Sequence, residues 1–184
     1  MLDDAVDLFW KRGFRTTTTR DLEAALGLSQ SSLYNAFGSK QGLFTAALDR
    51  YEGMTGAALL EPLESAGGGL GAIDRFFDAL AGWVTGDGRG GCMIINLMAE
   101  DGGESDDITV RTTAYRRRVR DALRDALIRA AAAGETTDEA IELRADLLYG
   151  EVLGMNIAAR GGSSDADIDR LAAAAHHLIA TWRR

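Results

Sequence analysis

The sequence predicts an all-α protein, and three observations support this fold class. Alanine, leucine, arginine, aspartate and glutamate dominate the 184 residues, a composition that favours helices by intrinsic propensity. Pro62 is the single proline, and no run of valine, isoleucine and threonine has the pattern of a strand. Apolar residues instead recur at helical spacing along most of the chain. With 46% hydrophobic residues, the chain can also bury a normal core.

Composition also narrows the class of protein. No stretch approaches the roughly 20 continuous apolar residues of a membrane span. The first residues, Met-Leu-Asp-Asp, lack the basic flank and apolar segment of a signal peptide. A single cysteine, Cys92, excludes an internal disulfide and a multi-cysteine zinc site. We therefore expect a soluble, cytoplasmic protein with no membrane partner and no cofactor.

The net charge of −8 is unevenly distributed along the chain. Residues 8–50 contain six basic and three acidic residues, a local charge of +3, so the remaining residues carry −11. Salt screens charges beyond about 10 Å, so a basic surface can meet phosphate although the rest of the protein is acidic. The asymmetry is modest and is equally compatible with chance.

The first 51 residues are predicted to form three short helices and most of a longer fourth helix, separated by capping signals. Thr18-Thr19-Arg20-Asp21 has the pattern of a capping box, in which Thr18 is the N-cap and Asp21 reaches back to it. Gly27 can adopt the left-handed turn that ends the second helix. The other residues expected to cap or end a helix are Gly13, Ser29, Gly38 and Ser39.

Longer helices with glycine-rich breaks are predicted beyond residue 51. The fourth helix is expected to run over about 39–60, so that it joins the first 51 residues directly to the rest of the chain. The later helices are expected over about 70–85, from Met93 to Met98, and over about 108–133, 138–160 and 165–183.

A helix, a tight turn at Gly27 and a second helix over about 29–36 form the arrangement of a helix-turn-helix motif. Such a second helix lies in the major groove of DNA. Glutamine and asparagine can make bidentate bonds to adenine, and serine and tyrosine hydroxyls can bind phosphate. The side chains expected on its exposed face are of these types: Gln30, Ser31, Ser32, Tyr34 and Asn35.

The string of residues around this motif is more specific than the helix pattern. It comprises Gly13-Phe14, Thr17-Thr18-Thr19-Arg20-Asp21-Leu22, Gly27-Leu28-Ser29, Ser32-Leu33-Tyr34-Asn35-Ala36-Phe37-Gly38-Ser39-Lys40 and Leu43-Phe44. Over about residues 5–51 the chain resembles the DNA-binding end of the tetracycline-repressor (TetR) family. The rest of the chain resembles the family only in its helical layout.

This resemblance implies a homodimer, a double-stranded DNA operator with two half-sites, and a cavity for a small-molecule effector. It implies two domains: a helix-turn-helix DNA-binding domain, residues 1–51 (the head), and a ligand-binding and dimerisation domain, residues 52–184 (the body). Arg20 and Gln30 are the expected base readers, and Tyr34 and Lys40 the expected phosphate anchors. The positions that match the family's DNA contacts are Thr19, Arg20, Gln30, Ser31, Ser32, Tyr34, Asn35 and Lys40.

The body helices carry aromatic and methionine side chains that could line an effector pocket, together with a few polar anchors. For any single one of these residues, ordinary core packing is the alternative. The candidates are Phe76, Trp83, Met93, Asn96, Tyr115, Tyr149, Glu151 and Met155.

Small residues recur at every fourth position in the helix expected over about 138–160, at Gly150, Gly154 and Ala158. This spacing lets two helices approach closely. An apolar stripe in the last helix could complete a four-helix interface between two subunits. Packing within one subunit is the alternative interpretation.

Three further features could be functional sites, but each has a simpler structural interpretation. Cys92 precedes an apolar helix, which could activate its thiol, but a core position is the simpler interpretation. The arginine cluster 116–120 could bind phosphate, but a solvated face pairing with Asp121 and Asp125 is simpler. His176 and His177 point apart on a helix, so a metal or catalytic role is not expected.

The sequence therefore predicts a ligand-responsive transcriptional regulator, most simply a repressor, that is released from its operator by a small molecule. The alternatives are a helical protein-interaction module and a thiol-based electrophile sensor. An enzyme is not predicted, since the sequence has no nucleophile with a nearby base, no phosphate loop and no histidine-rich metal motif.

Overall fold

All regular secondary structure is helical in the part of the chain that this computed structural model describes, residues 1–65, 67–101 and 106–184, with side chains omitted at 55–58, 101, 106 and 107. The predicted all-α class is confirmed. A π-helical turn, Glu52–Gly56, separates the fourth helix from the fifth. The α-helices are α1 (Leu2–Arg12), α2 (Thr19–Leu26), α3 (Gln30–Phe37), α4 (Lys40–Tyr51), α5 (Ala57–Glu64), α6 (Leu70–Thr85), α7 (Met93–Asp101), α8 (Asp106–Ala132), α9 (Ile141–Arg160) and α10 (Asp165–Ala180).

The capping signals of the head form as the sequence predicts. The Thr18 hydroxyl accepts a hydrogen bond from the Asp21 backbone N–H, and the Asp21 carboxylate accepts one from the Thr18 N–H. Gly27 ends α2 in the left-handed conformation, at φ 65°. Ser29 and Ser39 cap α3 and α4 with their side chains. Because each such cap is worth about 1 kcal/mol, the boundaries of these short helices are set locally.

The head is held together by a small aromatic and aliphatic core. α1 packs against α4, and Phe9 meets Phe44 edge-on with ring centroids 5.0 Å apart. Phe14 also packs on Phe44, with centroids 4.6 Å apart, and its ring lies 6.3 Å from that of Phe9. Leu22 of α2 and Leu33 of α3 are 1% exposed, so they fix these two helices against the same core.

The body is built from two sets of packed helices. α6 packs against α5 and α10, while α8 packs against α7 and α9. Leucines, isoleucines and phenylalanines fill the space between them, including the fully buried Ile73, Phe77, Leu123, Leu148 and Ile179. Among the described residues, the structure contains no helix with the length and apolarity needed to span a bilayer.

The expected continuous helix over 39–60 is interrupted. α4 ends at Tyr51, and the next five residues form a π-helical turn before α5 begins. Gly53 in this turn is exposed and is a weak helix former, so the local sequence does little to hold a regular α-helix. α9 and α10 are also shorter than expected, since α9 begins at Ile141 and α10 ends at Ala180.

Trp10 connects the head to the body. Its indole Nε1–H donates to the carbonyl oxygen of Gly91 over 2.6 Å, and its ring stacks on Trp83, with centroids 6.0 Å apart. Arg160, at the end of α9, donates to the carbonyl oxygen of Trp10 over 2.9 Å. The same guanidinium lies 3.4 Å from the Glu100 carboxylate of α7. The last turn of α1 therefore contacts three separate parts of the body.

The arginine cluster of α8 forms ion pairs between helices rather than only along its own helix. Arg118 binds Glu64 of α5 at 2.9 Å. Arg120 binds Glu142 and Asp146 of α9, at 2.7 and 2.5 Å. Of the predicted pairing between this cluster and Asp121 or Asp125, the described residues show only a long contact of 4.0 Å from Arg120 to Asp121. Asp121 and Asp125 pair instead with Arg124, at 3.4 and 2.9 Å. Spacing along one helix could not reveal the partners on α5 and α9.

Candidate functional site

The candidate recognition helix, α3, is anchored to α2 at its N-terminus. The Glu23 carboxylate accepts a hydrogen bond from the Gln30 backbone N–H over 2.7 Å, and the Ser29 hydroxyl accepts one from the Ser32 N–H. Because Leu33 is buried on the other side of the helix, the polar face points outward. All five predicted groove-facing residues are exposed: Gln30, Ser31, Ser32, Tyr34 and Asn35.

Residues at the start of α2 extend this polar face. Thr19 Oγ1 lies 3.3 Å from Tyr34 Oη, which joins α2 to α3 across the motif. Arg20 is exposed next to this pair. The negative charge of the Asp21 carboxylate is paired, because this group is hydrogen-bonded to Thr18 and lies 2.5 Å from Arg12 Nη1. The bonds from Thr18, reinforced by Arg12, lower the pKa of Asp21 to about 2.

Lys40 lies at the first position of α4, beside the candidate recognition helix. Its ammonium group sits 4.5 Å from the centroid of the Phe14 ring, a cation–π contact. Partial burial lowers the pKa of Lys40, while the charges of Tyr34 and Asp21 act in the opposite direction. The structure thus brings all eight predicted DNA-binding residues to adjoining parts of one surface.

Two residues that support this surface were missed by the sequence analysis. Glu23 fixes the start of α3, and Phe14 holds Lys40. Each acts through a tertiary contact seven or more positions away along the chain, which helix periodicity does not encode. A glutamate seven residues before a serine-capped helix is a weak signal that could have suggested the first contact.

The predicted effector-pocket residues do not gather at one place. Phe76 and Met155 are packed in the core, and Glu151 is half-buried on α9. Trp83 stacks on Trp10, and the Asn96 side chain donates to the carbonyl oxygen of Gly90 over 2.8 Å. Both of these lie at the joint between head and body.

The other three candidates, Met93, Tyr115 and Tyr149, surround Cys92. The Cys92 thiol lies 3.5 Å from Tyr115 Oη, and the Met93 backbone N–H donates to Tyr51 Oη over 3.2 Å. Among the described residues, Tyr149 Oη is buried without a hydrogen-bond partner. Burial raises the pKa of both Tyr115 and Tyr149, and Cys92 contributes to each shift. These groups form a cluster of hydroxyl and thiol groups inside the body.

Asn156 holds the backbone next to this cluster. Its Oδ1 accepts a hydrogen bond from the Cys92 N–H over 2.7 Å, and its Nδ2 donates to Val152. Tyr51 was not predicted as a pocket residue. Asn156, which was expected among the polar anchors of the pocket, is 1% exposed and serves instead to hold this backbone.

A pocket of about 180 Å³ borders this cluster at Tyr115, which belongs to both. Arg111 connects the pocket wall to the end of α4, because it lies 2.6 Å from Asp49. Partial burial raises the pKa of Glu52, the first residue of the π-helical turn, despite the nearby charge of Arg111. The lining residues are Glu52, Arg111, Ala114, Tyr115 and Arg118.

An apolar stripe lies exposed along α9. Leu143, Leu147 and Ile157 are 60%, 47% and 49% exposed. Between them, Gly150 and Gly154 are exposed, with open space where a side chain would begin. The five positions follow the spacing of one helical face, which leaves a flat and largely apolar strip.

Family comparisons agree with this arrangement of head and body. Residues 1–47 match the family model described as bacterial regulatory proteins, tetR family. Residues 69–179 match the model described as tetracyclin repressor-like, C-terminal domain. The chain belongs to the TetR family. The resemblance recognised in the first 51 residues is therefore confirmed and extends through most of the body.

Individual TetR-family proteins are similar over nearly the whole chain. The HTH-type transcriptional repressor ComR of Escherichia coli is 31% identical over 190 residues, which covers 98% of this chain and 86% of ComR. A structure of the TetR-family regulator CifR in complex with 26-base-pair operator DNA superposes with a TM-score of 0.84 and 26% identity, covering 98% of this chain and 94% of CifR. A TetR regulator from Chloroflexus aurantiacus has the same fold, with a TM-score of 0.87 at 23% identity, covering 100% of this chain and 93% of that one.

Proposed function

We propose that this TetR-family protein is a transcriptional repressor that binds a two-half-site DNA operator as a homodimer and is released by a small molecule. The observation that carries this proposal is the exposed polar face of α3, continued by Thr19, Arg20 and Lys40. Two relatives support it by their own descriptions, since ComR is named a repressor and CifR was solved with operator DNA.

The residue types on this surface suit two roles, contacts to base edges and contacts to phosphates. Arg20 and Gln30 are exposed at the N-terminal ends of α2 and α3, where their long side chains can reach base edges. Tyr34 and Lys40 carry a hydroxyl and an ammonium group that bind phosphate without reading sequence. We assign Ser31, Ser32, Asn35 and Thr19 to supporting contacts.

The exposed strip on α9 supports a homodimer. Large apolar side chains at Leu143, Leu147 and Ile157 are costly to leave in water, and the two glycines permit close helix approach. Two recognition helices must lie about 34–36 Å apart to enter successive major grooves, so a symmetric pair of subunits is the simplest way to meet an operator.

The pocket beside the π-helical turn supports release by an effector. Glu52 lines the pocket and directly follows α4, whose first residue is Lys40. A ligand can weaken DNA binding only if it binds one spacing of the two heads better than another. A shift of α4 at the turn would change that spacing, and Gly53 makes the turn easy to deform.

A thiol-based electrophile sensor is the second candidate, and the contact between Cys92 and Tyr115 is the observation that favours it. Cys92 is only 4% exposed, so a reagent reaches the thiol only when the surrounding structure opens locally. The test is the alkylation rate by N-ethylmaleimide. A rate no faster than that of a model thiol, or unchanged DNA release in Cys92→Ser, would leave Cys92 as a core residue.

The main test is DNA binding with single substitutions on the candidate surface, using DNA that flanks the protein's own gene. Arg20→Ala should weaken specific binding by about 1–3 kcal/mol and relax the preference at one base pair in each half-site. Lys40→Ala should weaken binding to all sequences and reduce the salt slope by roughly one. Lys11→Ala, which removes an exposed cation from α1, serves as the control. Unchanged affinities of Arg20→Ala for both operator and random DNA would contradict the assigned role.

A further inference from the structure

Arg160 is the last residue of α9, and its side chain joins three helices. Its Nη1 donates to the carbonyl oxygen of Trp10, in the last turn of α1, over 2.9 Å. Its Nη2 lies 3.4 Å from the Glu100 carboxylate of α7. The last four carbonyl groups of a helix have no partner within that helix and carry its partial negative charge, so a guanidinium is favourable there. One side chain thus connects the end of α1 in the head to two helices of the body.

The Glu100 carboxylate lies against the backbone where α1 ends. Gly13 terminates this helix with a φ of +82°, and a Cβ there would overlap the carboxylate. The side chains of Arg160 and Glu100 are each 31% exposed, so both are partly shielded from water. A carboxylate this close to the negative end of a helix is unfavourable by itself, and a guanidinium bonded to both groups offsets the repulsion. The close approach of α7 to α1 therefore depends on Arg160.

The ends of α4 and α1 both contact the body, but they are held differently. At the end of α4 the chain itself continues into the body through the π-helical turn, and Arg111 of α8 lies 2.6 Å from Asp49. Gly53 in this turn is a weak helix former, so the turn resists bending only weakly. The end of α1 continues into α2, within the head, so only noncovalent contacts hold it to the body. These contacts therefore control the angle of the head.

Arg160 differs from the other body partners of Trp10 in the helix that carries it. Trp83 lies on α6 and Gly91 in the loop before α7, whereas Arg160 lies on α9. Ile157 of the exposed apolar strip is three residues earlier, which is about 4.5 Å along the helix axis. The strip is the proposed contact surface between two subunits. Arg160 therefore connects that surface to the head through a single helix.

We propose that Arg160 is a positioning residue for operator recognition, which fixes the angle of each head on α9 and so sets the separation of the two recognition helices. It acts through the end of α1 and does not itself touch DNA. The inference rests on the homodimer and the two-half-site operator proposed above. Because the two helices must enter major grooves about 34–36 Å apart, a loosely held head lowers the affinity for the correct half-site spacing and weakens discrimination against other spacings.

Binding to three DNA duplexes tests this role. They are the operator from the flanking DNA and the same operator with one base pair inserted or removed between its half-sites, which changes their separation by about 3.4 Å and their rotation by about 35°. The native protein should prefer the natural spacing by about tenfold or more. Arg160→Gln should bind the natural spacing about tenfold more weakly and reduce the preference to about twofold, because it loses a charge-assisted contact. Its affinity for a single half-site should not change.

Two further variants separate the position of the head from charge and from stability. Glu100→Ala removes the other charged group and changes the net charge in the opposite direction to Arg160→Gln. A purely electrostatic effect on DNA binding would therefore reverse its sign, whereas a positioning effect weakens binding in both variants. Arg129→Gln removes an arginine that also donates to backbone carbonyls, those of Leu63 and Gly68, but lies within the body. This variant should lose stability and retain the full spacing preference.

The distance between the two heads can also be measured without DNA. Ala24 is exposed on α2, so a spin label at Ala24→Cys reports this distance by pulsed electron paramagnetic resonance, while the buried Cys92 is protected from the label. The native dimer should give one narrow distribution of distances. Arg160→Gln should give a broader one, and Arg129→Gln should match the native protein.

The outcomes distinguish this inference from the function on which it rests. A native protein with no distance between heads, or with no spacing preference, would refute the two-half-site dimer and this role with it. A native protein with both, whose distance distribution and spacing preference persist in Arg160→Gln, would overturn the role of Arg160 alone. Opposite effects of Arg160→Gln and Glu100→Ala on operator affinity would also overturn it, since they would show an effect of charge.

Discussion

The Trp10 indole N–H donates to the carbonyl oxygen of Gly91 over 2.6 Å, across 81 positions of sequence. Gly91 directly precedes Cys92, whose own N–H is bonded to Asn156. One short loop is therefore bonded to the head on one side and to α9 on the other. A movement at the cysteine and tyrosine cluster reaches α1 through a single peptide unit, in addition to the route through α4.

Replacing Trp10 with phenylalanine tests the contribution of this hydrogen bond. Trp10→Phe should lower the free energy of unfolding by about 1–2 kcal/mol, because it leaves the part-buried Gly91 carbonyl without its donor. Trp83→Phe changes the same ring stack but keeps the hydrogen bond, so it should cost less. Urea titration of the three proteins measures the difference. An equal loss in both variants would assign the effect to stacking.

Gly91 itself should not tolerate a side chain. Its φ is +69°, and a Cβ there would lie 2.5 Å from the carbonyl oxygen of Asn156. Gly134 has a similar φ of +76° but open space around it. Gly134→Ala should therefore lower the free energy of unfolding by about 1–2 kcal/mol, the strain of a left-handed alanine. Gly91→Ala should lower it further, because the clash with Asn156 is added. Thermal unfolding distinguishes them, and equal losses would show that the loop moves away freely.

His176 should make stability depend on pH. Its two ring nitrogens each lie 2.9 Å from a carboxylate oxygen, of Asp74 and Asp78 in α6. Partial burial lowers the pKa of His176, but the hydrogen bonds and charges of these two carboxylates outweigh it, and the net shift is upward. Arg183 also binds Asp74, so it competes for the same carboxylate.

Because the pKa of His176 is higher in the folded than in the unfolded protein, the direction in which stability changes with pH is determined. The stabilisation is fully present below the unfolded pKa of about 6.5 and is lost as the pH rises through the higher folded value. His176→Gln should flatten the dependence of unfolding free energy on pH in that window. His177→Gln, on the exposed side of α10, should leave it unchanged. A native protein whose stability rises across the same window would contradict the assignment.

A bulky side chain on α9 tests the proposed dimer. Gly154→Trp should block close helix approach and yield a monomer in sedimentation experiments at micromolar concentration. Gly82→Trp places the same side chain on an exposed glycine of α6 that also has open space, and this variant should remain dimeric. A native protein that sediments as a monomer would rule out the interface at once.

Signals within a few residues were sufficient to predict the helix boundaries of the head. Contacts between residues far apart in the sequence could not be predicted. Thr18, Gly27, Ser29 and Ser39 each act on residues within four positions, so their caps could be identified from the sequence. The string from Gly13 to Phe44 then identified the family. The candidate DNA surface followed because it is built on two adjoining short helices.

The cluster of Tyr115, Tyr149 and Cys92 was only partly predictable, for a physical reason. Tyr115 and Tyr149 were among the candidates, but composition could not separate them from Phe76 and Met155, which pack in the core. What distinguishes Tyr149 is a missing partner, and this depends on three-dimensional neighbours. The interruption after Tyr51 was missed because two glycines in an otherwise helical pattern do not define a π-helical turn.

The position of Trp10 limits how such regulators can be recombined. A chimera that joins the head of this protein to another body at residue 51 would retain the packing of α1 on α4 but lose the body partners of α1, since Trp83, Gly91 and Arg160 all belong to the body. Engineers who graft DNA specificity between family members would therefore need to transfer the loop around Gly91 together with the first helix. The head ends at a surface of tertiary contacts with the body. No single junction in the sequence preserves those contacts.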